Sequence, residues 1–114
     1  MKPNTLFNVL ADPTRLRAIM VIQSEGEICV CELTHALQES QPKISRHLAY
    51  LRDARIVRTR RQGTWMHYRL DPMLPPWAVD ILSEIHKKLR DSSPFKVDLV
   101  RLSRMKDRPE RECA

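Results

Sequence analysis

The residues best equipped for chemistry in this chain are two thiols at i and i+2, Cys29 and Cys31, in the phrase EICVCEL. In a helix, side chains two residues apart diverge by about 200° around the axis, whereas in an extended segment they point to the same side. Chelation by the pair therefore needs an extended or helix-start backbone. The sequence supplies such a junction: Glu27 to Cys29 reads as a brief extended piece, and Cys31 to Gln38 has the composition of a two-turn helix. Backbone N–H groups at a helix start, together with the helix dipole, lower a thiol pKa and favour thiolate, and the nearby Glu27 and Glu32 oppose that. Soft sulfur ligands select soft acceptors, so the pair suits trivalent arsenic or antimony, or a thiophilic divalent ion, better than magnesium or calcium. His35, one turn after Cys31, is a nitrogen ligand that would turn the site toward zinc. The competing reading is two small apolar side chains buried in a helix-packing seam. The third cysteine, Cys113, sits in a polar tail and reads as a spectator, and three cysteines imply no disulfide framework.

A second chemistry lies in the placement of charge. Residues 41–69 hold eight basic groups (Lys43, Arg46, Arg52, Arg55, Arg58, Arg60, Arg61, Arg69) against one acid, Asp53, while the rest of the chain is close to neutral. A formal net charge of +6 is thus concentrated on one stretch. Such a footprint points to a polyanion, since sequence-independent attraction to nucleic acid comes from lysine and arginine facing phosphates.

The elements that must carry these groups are mostly helical. Leu6, Val9 and Leu10 form a first amphipathic turn that ends before Asp12-Pro13. Asp12 caps a second helix with Pro13 in its first position, running to Ser24–Gly26. Ser40 and Pro42 open the helix that follows CELTHALQ; it runs to about Ala54, with Ile44, Leu48 and Leu51 as a narrow buried stripe. Its other side carries Lys43, Arg46 and Tyr50, flanked by Ser45 and His47. Helix 31–38, a short turn and helix 41–54 make a helix-turn-helix whose second helix is sized for a major groove. There Gln41 can pair with adenine, and Lys43, Ser45 and Arg46 can bond phosphates or guanine edges. Ile56–Arg61 and Thr64–Leu70 alternate β-formers with arginines around Gln62-Gly63, a two-stranded basic wing. After Pro72, Pro75 and Pro76, a last helix carries Trp77, Ala78, Ile81, Leu82, Ile85 and Leu89, an apolar stripe wider than one small core needs. Part of it is expected to meet another subunit. Beyond Pro94, Val97, Leu99, Val100 and Leu102 stand among many charges, and the chain from Lys106 is polar.

With 114 residues, the chain forms one small domain over residues 1–92, followed by a partly mobile extension over 93–114. Only two glycines and six aromatic residues disfavour an all-β sandwich or a glycine-rich phosphate loop. A thiol enzyme would need a nucleophile with a resolving partner beside a substrate pocket, and nothing besides the CxC pair forms an acid, base or phosphate-binding constellation. The N-terminus has neither signal-peptide nor membrane-span character, so a reducing cytoplasm and no membrane partner are expected.

Four phrases, LADPTRLRAI, EICVCEL, SQPKISRHLAYLRDA and RRQGTWMHYRL, resemble the ArsR–SmtB winged-helix repressors, above all those of arsenical-resistance operons. The resemblance runs from about Leu6 to Leu89. It implies a mainly α winged helix-turn-helix with a small β-hairpin. The implied assembly is a homodimer paired through its first and last helices, bound to an inverted-repeat operator in double-stranded DNA without a cofactor and released by an inducer. By position, Cys29 and Cys31 match the sensor cysteines, with arsenite or antimonite as inducer. Gln41, Lys43, Ser45, Arg46 and His47 match the recognition helix, and Arg60, Arg61 and Gln62 fall in the wing that meets DNA. Zinc, cadmium or thiol oxidation are the alternative signals on the same fold. One departure is that Thr34 stands where the best-known arsenic sensors have a third cysteine, so that an external ligand or Cys113 is the third, or the inducer differs. The family's zinc site on the last helix is poorly matched, because Asp80 and His86 lack its spacing.

Overall fold

A computed structural model describes residues 1–106 and Arg108. Six helices and three short strands follow in the order α1 (Pro3–Leu10), α2 (Pro13–Glu25), β1 (Ile28–Cys29), α3 (Val30–Leu37), α4 (Gln41–Asp53), β2 (Val57–Gln62), β3 (Trp65–Leu70), α5 (Pro76–Leu89) and α6 (Phe95–Ser103). The start signals act as expected. Asp12 accepts the backbone N–H of Arg15 at 3.0 Å, Ser40 accepts that of Lys43 at 3.4 Å, and a proline occupies the first turn of each helix. Ile44, Leu48 and Leu51 are the buried residues of α4. They join Leu6, Val9, Ile19, Ile22, Leu33 and Leu37 in one apolar cluster that also takes in Ala78 and Leu82 of α5.

The wing is a hairpin in which Gln62 pairs with Trp65, so the turn is Gly63-Thr64. Gly63 has φ +64° at the first of the two turn positions, where glycine carries no steric penalty. The sheet has one strand more than the expected hairpin. β1 adds to β3 in the order β1-β3-β2, with Ile28 opposite Tyr68 and Cys29 opposite His67. Two residues are too short to show a strand period, and it is the pairing with β3 that makes them a strand.

Residues beyond Pro94 do not simply trail away. α6 buries Phe95, Asp98 and Leu102 and packs on α2 and α3. Val97 and Val100, on its other side, stay exposed. The remainder of the extension expected to be mobile, residues 107 and 109–114 with Cys113 among them, lies outside the described residues.

Candidate nucleic-acid interface and thiol site

α4 is fixed by its three-leucine-type stripe on one side and leaves Gln41, Ser45 and Arg46 exposed on the other. Tyr50 stays half exposed, with the Arg15 guanidinium 4.2 Å above its ring, a cation–π contact that ties α2 to α4. Lys43 is half-buried and its Nζ lies 2.9 Å from Glu39 Oε1 one turn earlier. His47 does not share the exposed face. Its side chain is 13% accessible and its Nε2 lies 3.9 Å from Asp12 Oδ2. Burial pushes its pKa down, although Asp12 pulls the other way.

On the wing, Arg61 and Gln62 are exposed. Arg60 turns back toward the segment that leads into the cysteine pair: its Nε donates to Glu27 Oε2 at 3.1 Å, and one of its terminal nitrogens donates to Gln62 Oε1 at 3.0 Å. The guanidinium holds the Glu27 carboxyl below its ordinary range. Glu27 and Arg60 stand 33 positions apart, and the sheet brings them together by pairing β1 and β2 on either side of β3.

The two sulfurs converge. Cys29 is the residue before the first turn of α3, with φ −98° and ψ 168°, so the extended-to-helical junction anticipated at this point is present. Its Sγ lies 3.2 Å from that of Cys31, close enough for both sulfurs to reach one soft atom at bond lengths of about 2.3 Å. The expected lowering of the thiol pKa does not hold for Cys29. Burial pushes it up, and the N–H groups of Glu32 and Cys31, which favour the thiolate, do not offset that desolvation. Glu32, itself buried, accepts the Cys29 backbone N–H at 3.0 Å, and its other oxygen is 2.6 Å from Arg108 Nε. Glu32 is thus a cap for α3 before it is an electrostatic neighbour of the thiols.

Beside the sulfurs lies a cleft of about 500 Å³ walled by Val30 and Thr34 of α3, by Trp65, Met66 and Tyr68 of β3, and by Gln41 and Ser45 of α4. Thr34 does not face the sulfurs as a ready donor, since its hydroxyl donates to the Val30 carbonyl at 2.6 Å. His35 lines a different groove, with Lys96, Val97 and Val100 of α6. Among the described residues, no group of three or more His, Cys, Asp or Glu side chains is placed to hold a metal ion. No described helix is long and apolar enough to cross a membrane.

Residues 12–59 match the model of the family described as "Bacterial regulatory protein, arsR family". Over 115 aligned positions, the chain is 48% identical to the arsenic resistance transcriptional regulator ArsR1 of Pseudomonas putida, covering all of this chain and 88% of that one. The chain belongs to the ArsR family. It is a transcriptional regulator and not an enzyme. The arsenical resistance operon repressor of Escherichia coli is 52% identical over 72% of this chain and 70% of its own length. Among solved structures, the AntR antimony-specific transcriptional repressor superposes with a TM-score of 0.60 at 35% identity, covering 69% of this chain and 68% of that one. The fold of this ArsR-family member is accordingly a winged helix-turn-helix: α3 and α4 are its two helices, and β2–β3 is its wing.

Three features of the site escaped sequence reasoning: the tie of Arg60 to Glu27, the retreat of His47 from the exposed face, and the sharing of one cleft by the thiols and the start of α4. Of these, only the first had a visible signal, an acid two residues before a cysteine opposite a basic wing.

Proposed function

We propose that this protein is a metalloid-responsive repressor that binds an inverted-repeat operator as a homodimer and is released when As(III) or Sb(III) binds Cys29 and Cys31. The observation that carries the proposal is the shared cleft: the two sulfurs converge 3.2 Å apart on a space whose far wall is Gln41 and Ser45 of the recognition helix. An acceptor drawn to the sulfurs reshapes the first turn of α3 and crowds the residues that would otherwise meet DNA. Gln41, Ser45 and Arg46 are the base-reading candidates, with Lys43 and His47 as nearer-core members of the same helix, and Arg60, Arg61 and Gln62 as the wing's contribution. Half-exposed apolar residues support pairing through α1 and α5. Phe7 is 52% and Val79 45% accessible, and Trp77, Ile81, Ile85 and Leu89 are only partly covered. The names of the relatives, arsenical-resistance regulators and an antimony-specific repressor, favour the same class of inducer.

Induction requires only that the inducer bind the DNA-free form better, and a coupling of about 1 to 3 kcal/mol per site weakens DNA binding roughly 5- to 150-fold. The test is fluorescence anisotropy of an operator-containing promoter fragment with the reduced protein, titrated with arsenite, antimonite, zinc and cadmium at fixed salt. Release by arsenite and antimonite at near-stoichiometric levels is expected, with Cys29→Ser and Cys31→Ser retaining DNA binding and losing release. Tight binding reversed only by zinc or cadmium would overturn the metalloid assignment and leave the repressor.

A further inference from the structure

α3 ends where the turn into the recognition helix begins, and its last carbonyls have no partners within the helix. Two guanidinium groups take them. Arg101 of α6 donates to the Ala36 carbonyl at 2.6 Å, and Arg17 of α2 donates to the Leu37 carbonyl at 3.0 Å. Positive charge at this end also complements the helix dipole. Arg17 is held in place by Asp98 of α6 through two bonds, Nε to Oδ2 at 2.8 Å and a terminal nitrogen to Oδ1 at 2.7 Å, the two-pronged geometry that fixes an arginine in both position and plane. Arg101 also lies 3.7 Å from Asp98 Oδ1. Asp98 is 1% accessible, so its charge is buried with these two arginines as its ionic partners. One residue later, Gln38 turns the chain with φ +55°, and α4 starts at Gln41. The other end of α3 is also gripped from beyond α6, where Arg108 bridges Glu25 and the capping Glu32.

We propose that α6 is a brace for the helix-turn-helix, and that Asp98, acting through Arg17 on the C-terminal carbonyls of α3, is a positioning residue that sets how α4 is presented to DNA. The inference rests on α4 being the DNA-reading helix. A buried aspartate on the last described helix then controls operator discrimination without touching the operator.

The experiment uses the full chain with Asp98→Asn, Asp98→Glu and Arg17→Lys, measured on an operator fragment and on a random fragment of equal length across a salt series. Asp98→Asn removes the charge that orients Arg17. Arg17→Lys keeps an ion pair with Asp98 but cannot hold both carboxylate oxygens and the Leu37 carbonyl together, and it serves where Asp98→Asn folds poorly. Both are expected to lower the operator-to-random affinity ratio by about fivefold or more, to leave the salt slope at its wild-type value because neither group meets a phosphate, and to speed amide exchange across residues 38–41. Asp98→Glu is expected to recover much of the discrimination. Variants that fold, shift the urea midpoint and yet keep wild-type discrimination would overturn the brace. Wild-type protein that fails to prefer the operator would instead overturn the reading of α4 itself.

Discussion

The two helices of the helix-turn-helix are held in opposite ways. α3 is fastened on nearly every side: its start by the Glu32 cap and Arg108, its end by Arg17 and Arg101, its flanks by α2, α4, α6 and the sheet. α4 is anchored along Ile44, Leu48 and Leu51 and otherwise presents polar side chains to solvent. A helix meant to reach into a groove must keep a bare face, so its orientation has to be inherited from a neighbour that keeps none. The chemistry follows the same division. α3 opens on the buried Cys29 and carries the buried carboxylate of Glu32, and α4 carries the exposed amide, hydroxyl and guanidinium.

The largest effect expected from breaking this arrangement is on the single seam of α4. Leu48→Ala should cost about 2 to 5 kcal/mol in urea unfolding, and a cost under about 1 kcal/mol would mean that α4 has anchors beyond its stripe. Next comes a contrast between one polar side chain on each of the two helices. Arg46→Ala should lose about 1 to 3 kcal/mol of operator binding, and more on the operator than on random DNA. His35→Ala on α3 should leave both affinities alone, whereas Arg61→Ala in the wing should weaken both and reduce the salt slope by about one. Equal losses on both DNAs for Arg46→Ala would remove it from base reading. A smaller cost, about 1 kcal/mol in unfolding, is expected for Ser40→Ala, which removes the side-chain cap at the start of α4.

The smallest effect is one of pH. Burial lowers the pKa of His47, which faces Asp12, Arg15, Arg46 and Lys43, and that of His86, which faces Arg90. A histidine whose folded pKa is depressed binds its proton more readily when unfolded, so stability is full above the ordinary value near 6.5 and declines as pH falls through it. The urea midpoint should drop between about pH 7 and pH 5, and His47→Gln combined with His86→Gln should flatten that slope.

Much of this division was legible in the chain. Ser40, Pro42 and the i, i+4, i+7 spacing of Ile44, Leu48 and Leu51 specify α4 locally, and Gln62-Gly63 between alternating segments specifies the wing, because each signal lies within a few residues of what it determines. The grip on α3 was not legible. Asp98 sits on the buried side of α6 while Val97 and Val100 face outward, the reverse of an apolar pattern, and what permits it is Arg17, 81 positions earlier. For the same reason the Cys29 thiol was misjudged: the N–H groups at a helix start are local, whereas the burial that outweighs them comes from packing of distant segments.

The two-residue strand β1 carries a kinetic consequence. Cys29 is at once one of the two converging sulfurs, the residue that opens α3 and the register partner of His67 in the wing. If α4 reads DNA as proposed, motion of this backbone is passed through α3 to α4 and through β3 to the wing together, and neither slips from the duplex while the other keeps its grip. Departure from DNA on induction should accordingly run as a single exponential, with no half-detached species accumulating on the way.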